Sequence, residues 1–257
     1  MDVTNLVFDR ARRGIMKSKV DGHVLIGLTD IGNINLNMTT DMEEVVDARD
    51  VAIMRLFKGK NASISGDTLF NTQLLAAQMG KEKKVASSAE PLVVPCFDLI
   101  NVTNNTVKLS HTPIETPKWI YGLNTDTTLG TAYKLGNEAT AATFAYSSAN
   151  QTITLPTGFT GKQVFIEYEY QTTEAFEIEN LAEGEPMSGE FVLECLFRDP
   201  CAKEKMYGGY LIFPNGNMAA DVDINFGTTE RHAFQIDAMQ EYCGSDKLLC
   251  RMVVVQE

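Results

Sequence analysis

The chain has 257 residues, of which 44% are hydrophobic and 22% are charged, as in folded globular proteins with one large domain or two smaller ones. Its net charge of −12 argues against an outer surface that grips nucleic acid, because such surfaces carry excess Lys and Arg. No apolar run reaches the roughly 20 residues of a membrane helix, and no signal peptide is recognisable, so neither a membrane span nor secretion is expected.

Residues 1–19 are predicted to form a basic N-terminal arm, with a short helix broken at Gly14 as one conformation. This segment contains five basic and two acidic residues, whereas the rest of the chain has a net negative charge. Such an arm can dock on the acidic body of a second copy. The alternative is a solvated, frayed terminus.

The stretch from residue 20 to 80 predicts a strand, a long exposed hairpin, a return strand and a short helix. Apolar residues alternate with asparagines at 33–38, which gives the first strand one apolar and one polar face. The segment 39–50 is too polar for a core and is assigned to the exposed hairpin. The return strand is placed at 51–57, and the helix at 72–79, where an apolar stripe ends in a glycine.

Residues 91–172 are rich in Thr and Asn and predict a small inserted β-sandwich of the Ig-like or a similar type. Short β runs recur about every 8–12 residues in this region, as expected of such a module. The strongest run is Gln163–Tyr170, and Trp119 is assigned to the module's core, with sugar binding as the alternative for that ring. The predicted domains are therefore the arm at 1–19, a discontinuous domain at 20–90 and 173–257, and the inserted module at 91–172.

The last part of the chain returns to longer alternating strands. Five are predicted: Phe191–Arg198, Tyr207–Phe213, Ala219–Phe226, His232–Met239 and Leu248–Val255. The fold class is thus mainly β, a sandwich or barrel with a long hairpin and one short helix, plus the inserted module.

No pattern of catalytic, cofactor or metal-ligating residues stands out. The three histidines lie far apart, and the five cysteines include no CxxC pair, so reduced thiols are expected. The triplet Asp221, Asp223 and Asn225 has the spacing of a calcium loop, but alternation explains it as the polar face of a strand. We therefore expect a non-enzyme without cofactor or metal.

Two parts of the chain resemble phage tail tube proteins. The first, over about 20–80, carries these residues in order: Asp21-Gly22, Ile26-Gly27, Glu43-Glu44, Lys60, Ile64-Ser65-Gly66, Thr68-Leu69, Leu74-Leu75-Ala76 and Met79-Gly80. The second, over about 174–240, resembles the closing half of those subunits. The module between the two departs from the minimal family pattern.

The resemblance implies a tail tube subunit that forms stacked hexameric rings around a channel for DNA. It further implies contacts with terminator, sheath or baseplate proteins, a place in the virion tail and assembly in the host cytoplasm. The acidic balance suits a negative channel that repels phosphates. Subunit contacts are then expected from the hairpin and the arm: Thr39, Thr40, Asp41, Glu43, Glu44, Asp47, Arg49, Arg10, Arg12 and Arg13.

Two other readings remain. A carbohydrate-binding or host-adhesion protein built from β modules would stay small and show glycan affinity, whereas a tube subunit polymerises. An unrecognised hydrolase would have to act without any of the common catalytic motifs.

Overall fold

The computed structural model describes residues 5–202, 204–221, 224, 231–240 and 247–256. The chain divides into two compact units. Unit 1 comprises Met1–Lys83 and Ile178–Glu257, and unit 2 comprises Lys84–Glu177. The sequence suggested divisions at 90/91 and 172/173. The contacts divide the chain farther out because two short strands, β5 (Lys84–Val85) and β13 (Phe176–Glu177), pair with each other.

Unit 1 is built on one eight-stranded antiparallel sheet, which confirms the mainly β fold with a long hairpin and one short helix. The strand order is β2-β1-β14-β15-β16-β4-β3, and β17 also pairs with β15. The elements are β1 Val7–Lys17, β2 Val24–Leu28, β3 Ile31–Val46, β4 Ala52–Thr68, α1 Thr72–Gln78, β14 Ser188–Arg198, β15 Met206–Met218, β16 His232–Ala238 and β17 Arg251–Gln256.

A two-residue connection closes this sheet on itself. The strands β2 and β3 lie at opposite ends of the path, yet only Thr29 and Asp30 join them. The two ends of the sheet must therefore meet, and β1 does contact β3. The result is a nearly closed barrel. Its inner face holds the core, in which Phe191 lies 6.4 Å from both Phe213 and Phe234, measured between ring centroids.

The helix α1 lies where the sequence predicts it, and its buried side chains add to the core. The side-chain oxygen of Asn71 accepts hydrogen bonds from the backbone N–H groups of Gln73 and Leu74 at 2.9 and 3.0 Å. These bonds satisfy donors that a helix start leaves open. Gly80 ends the helix at φ 77°, where a Cβ would come within 2.1 Å of the Glu185 carbonyl oxygen. Both the positive φ and the nearby carbonyl group exclude a side chain at this position.

The N-terminal segment differs from the predicted arm or helix. Residues Val7–Lys17 form β1, which lies between β2 and β14 in the sheet. Register shifts after Phe8 and Ala11 interrupt the apolar alternation, so no periodic pattern marks this strand in the sequence. Within β1, Gly14 and Met16 are buried.

The C-terminal strands agree in part with their predicted positions. β14, β15 and β16 overlap the three predicted runs, and β17 begins three residues later than expected. The predicted strand Ala219–Phe226 and the calcium alternative fall largely on residues outside those that the structure describes.

Unit 2 contains a seven-stranded sheet in the order β6-β12-β8-β9-β10-β11-β7. Its strands are β6 Leu92–Asn101, β7 Thr106–Lys108, β8 Trp119–Leu123, β9 Leu129–Leu135, β10 Thr143–Ser147, β11 Thr152–Thr154 and β12 Gln163–Thr172. Here too the ends of the path are close in the chain, since four residues join β6 to β7. Asn104 and Asn105 make this turn with positive φ values of 51° and 55°.

The placement of Trp119 in the core of unit 2 is wrong. Its side chain is 47% exposed, whereas its neighbour Ile120 is fully buried. Because strand side chains alternate, one of the two must face outward, and the branched aliphatic residue takes the inward position. The core is formed instead by Ile120, Phe144, Ile153, Val164 and Ile166.

A buried polar network joins β6 to β12 in unit 2. The Tyr168 hydroxyl donates to Asp98 Oδ2 at 2.8 Å and accepts from the backbone N–H of His111 at 3.0 Å. Ser110 donates its hydroxyl and its backbone N–H to the same carboxylate, at 2.7 and 2.9 Å. Burial alone would raise the pKa of Asp98, but the bonds from Ser110 and Tyr168 outweigh it and lower that pKa.

Tyr168→Phe is expected to destabilise unit 2 by about 1–3 kcal/mol. The part-buried N–H of His111 loses its acceptor, and Asp98 Oδ2 loses one of its two donors. The measurement is urea unfolding followed by fluorescence of Trp119, the only tryptophan, which lies in this unit. Tyr146→Phe is the matched control, because the described residues offer that half-buried hydroxyl no hydrogen-bond partner. Equal midpoints for the two variants would show that the network does not stabilise the unit.

Candidate subunit interface

Residues 38–61 form the outer part of the β3–β4 hairpin. No other described part of the chain packs over them. All its side chains are exposed except the half-buried Thr40 and Asp47. The strand β16 pairs with β4 only from Ser63 to Thr68, so beyond Ala62 each strand of the hairpin has just the other as neighbour. A two-stranded ribbon of this kind is marginally stable alone. We call residues 38–61 the free hairpin.

The free hairpin is more regular than the sequence suggested. The strand β3 continues to Val46, so most of the segment 39–50 is strand and only 47–51 form the turn. The strand β4 likewise runs through Lys58–Lys60, where a break was expected. A register shift between Asp41 and Met42 accommodates Lys58 as an extra residue, which explains why the alternation fails in the sequence but the ladder survives.

Large apolar side chains are exposed on the free hairpin. Met42 is paired with Phe57, and these side chains are 53% and 74% exposed. Val45 is paired with Met54 farther out, and both are exposed as well. These two pairs are three residues apart on each strand, so both faces of the ribbon carry exposed apolar side chains. Large exposed apolar surface marks sites of protein contact. This apolar character, rather than the polarity noted in the sequence, is the dominant chemistry of the surface.

The charged residues of the free hairpin pair across its two strands. Glu43 lies 2.8 Å from Lys58 Nζ, and Glu44 lies 2.8 Å from Arg55 Nε. Asp47 accepts hydrogen bonds from the backbone N–H groups of Arg49 and Val51, at 2.8 and 3.0 Å, and so shapes the turn. These acids thus have partners within the chain, and their charge is compensated locally.

The seven hairpin residues predicted to contact another subunit share one element, but the three arginines do not join them. All three lie on β1. Arg12 Nη1 is 3.0 Å from Glu194 Oε1, and Arg13 binds the other oxygen of the same carboxylate. Arg10 lies 3.7 Å from Asp9 and is 67% exposed. Arg12 and Arg13 therefore fasten β1 to β14.

An apolar cavity of about 360 Å³ lies where the inner face of β3 meets β14, β15 and β17. Its lining includes Ile34 and Leu36 from β3, Cys195 and Phe197 from β14, and Met252 from β17. Burial raises the pKa of the Cys195 thiol to about 11, so this group stays neutral. No pattern in the sequence pointed to this cavity, because its lining comes from five strands, from β1 near one end of the chain to β17 near the other.

The described residues contain no cluster of three or more His, Cys, Asp or Glu side chains that could hold a metal ion. Cys96, Cys195, Cys201 and Cys250 are free thiols. His232 is buried, and its Nε2 lies 2.8 Å from Gln78 Oε1. Within the described part of the chain, no helix has the length and apolarity to cross a membrane.

Comparison with known proteins links most of the chain to one family. The family model described as the YomU/Tube protein family matches residues 13–243, a range that includes the free hairpin and the whole of unit 2. A search of curated proteins gave no match.

Glu194→Gln is expected to destabilise unit 1 by about 1 kcal/mol, a low value because both guanidinium groups are partly solvated. The bond from Arg13 lowers the pKa of Glu194, so the carboxylate contributes stability above its unfolded pKa and loses it as the pH falls through the folded pKa. The difference between wild type and variant should therefore shrink under acid, which urea unfolding at several pH values measures. The control is Glu190→Gln, whose half-exposed carboxylate is 3.7 Å from Lys17. A difference that grows under acid would contradict this account.

Proposed function

This chain belongs to the YomU/Tube protein family, and we propose that it is a phage tail tube subunit whose free hairpin packs against the next copy of the chain. The family match confirms the resemblance to phage tube proteins and makes the chain a tube-like structural protein. Assembly into stacked hexameric rings, and passage of DNA through them, are the finer parts of the proposal.

The observation that carries this proposal is the free hairpin itself. A ribbon with Met42, Phe57 and other large apolar side chains in solvent is poorly stable and prone to aggregate. Burial of such surface stabilises association by about 25 cal/mol per Å² of apolar area, before the losses of motional freedom are subtracted. A second copy of the chain would supply the missing cover.

The proposed contact is head to tail. The hairpin of one copy and the apolar cavity at the hairpin base of another are different surfaces with matching apolar chemistry. Contacts between unlike surfaces generate rings when they close and filaments when they do not, and a tube of stacked rings needs both. Thr39, Thr40, Asp41 and Arg49 would form the polar margin of this contact.

The charge of the chain supports a role as a conduit. With a net charge of −12, acidic groups dominate over basic ones, and a surface of this sign does not bind phosphates. We propose that DNA passes without adhering. The family is consistent with a structural role and a place in the virion tail. We further propose assembly in the host cytoplasm and contacts with terminator, sheath or baseplate proteins.

Removal of the free hairpin is expected to abolish assembly without unfolding unit 1. Thr39 and Asn61 are paired, so Asn-Gly can replace residues 40–60 as a two-residue turn. Electron microscopy and light scattering should show tubes for the wild type and monomers for this variant. A finer variant, Phe57→Lys, should weaken assembly alone, because that side chain is already 74% exposed.

The matched control for Phe57→Lys is Val20→Lys, which places the same charge at a position that is 96% exposed outside the hairpin. Tubes of normal length from the hairpin deletion would refute the proposal. A wild-type chain that remains monomeric and binds glycans would instead favour a host-adhesion protein.

Excision of unit 2 is expected to leave assembly intact. Lys84 and Glu177 are paired, so the two chain ends that remain lie close together, and a short Gly/Ser linker can replace residues 84–177. The measurement is again tube formation, with circular dichroism to verify folding. A folded variant that forms no tubes would assign unit 2 a part in the subunit contact.

A further inference from the structure

An open cleft of about 300 Å³ lies on the outer face of the unit 2 sheet, apart from the surfaces proposed for assembly. Trp119 and Tyr121 of β8 and Glu167 and Glu169 of β12 contribute to its lining. Their inward-facing neighbours Ile120, Ile166 and Tyr168 are buried, so all four side chains share the outward face.

The register of the sheet places a carboxylate between two aromatic rings. Ile166 is paired with Ile120, so Glu167 stands one step along, beside Trp119. On its other side Glu167 is paired with Phe97 of β6. Trp119 and Phe97 are 47% and 63% exposed, respectively. An acid flanked by two solvent-facing rings results, in a region where the rings could have been buried at lower free energy.

Two acids of the cleft lack basic partners. Lys118 and Glu115 also line the cleft, and their charged groups lie 3.2 Å apart as a pair. Among the described residues neither Glu167 nor Glu169 has a Lys or Arg within 4.0 Å. Lys134 is paired with Trp119 from β9, on the side away from Glu167. Three acids and one lysine line the cleft, which is therefore net negative as well as aromatic.

We propose that this cleft binds an organic ammonium group. A cation over the face of a tryptophan or tyrosine ring is attracted by the negative π surface, and carboxylates supply the opposite charge. Glu167 and Glu169 neutralise the ligand, and Trp119 and Tyr121 cover its alkyl or ring carbons. Neutral sugars lack the charge that this arrangement complements, and anionic polymers would be repelled by the two acids.

Two ligands present this chemistry from different sources. Choline carries a quaternary ammonium on a short alcohol, and glucosamine carries a primary ammonium on a sugar ring. Each has a neutral counterpart of nearly the same shape, 3,3-dimethylbutan-1-ol for choline and glucose for the amino sugar. A comparison within each pair measures the contribution of the ammonium charge to binding. A comparison between choline and glucosamine shows whether the cleft prefers an alkyl or a sugar-ring ammonium compound.

The position of Trp119 allows a direct test on the full chain, because it is the only tryptophan and lines the cleft. At constant ionic strength, choline or glucosamine should change the Trp119 emission in a saturable manner, and isothermal calorimetry should give the same dissociation constant. The neutral counterparts should bind about tenfold more weakly or not at all.

Glu167→Gln should lower the affinity for the ammonium ligand about tenfold, whereas Glu138→Gln, an exposed acid of unit 2 outside the cleft, should leave it unchanged. Circular dichroism should show the same fold for both variants. The inference is overturned if neither ammonium compound binds by either method, if the neutral counterparts bind equally well, or if the two variants behave alike.

Discussion

The two-residue connection between β2 and β3 is the constraint on which the architecture of unit 1 depends. It joins the two ends of a long strand path and so curls the sheet around one apolar core. The strands β3 and β4 have 16 and 17 residues, whereas β16, the next strand in the sheet, has seven. Once the barrel is curled, the excess length of the hairpin has no strand of the described chain to pair with. The free hairpin follows directly from this mismatch in length.

The same mismatch explains why the free hairpin exposes apolar side chains while its charged residues pair with each other. The inner face of β3 begins in the core at Ile34 and Leu36 and continues outward through Met38 and Met42, so core chemistry extends beyond the barrel. Cross-strand pairs such as Glu43 with Lys58 hold the ribbon together without another subunit. In the proposed subunit contact, apolar burial would therefore supply most of the binding free energy, while the acids contribute register and solubility.

Several elements could be predicted from the sequence because local physics determines them. The helix α1 has a capping asparagine, an apolar stripe and a terminal glycine, and β12 alternates without interruption. The strand β1 could not be found, because two register shifts remove its periodicity and its arginines suggest solvent. The pairing of those arginines with Glu194 spans more than 180 residues and leaves no local signal.

Other errors came from properties that depend on the tertiary fold. The sequence cannot show which of Trp119 and Ile120 faces inward, since both are apolar and adjacent. No periodic pattern in the sequence singles out β6, which pairs with all ten residues of β12 and contains Pro95. The cavity beside β3 forms only when five strands come together in the fold. By contrast, the resemblance to tube proteins rests on turn glycines and strand alternation, which are visible in the sequence alone. The family match confirms this resemblance.

The central claim is that the free hairpin becomes buried between copies of the chain. Hydrogen–deuterium exchange of the backbone amides of residues 38–61, compared between dilute monomer and assembled protein, tests it most directly. Amides of residues 38–61 should exchange fast in the monomer and be strongly protected in the assembled protein. Amides of the core strands β14 and β15 should change little. Assembly that leaves exchange of the free hairpin unchanged would contradict the account.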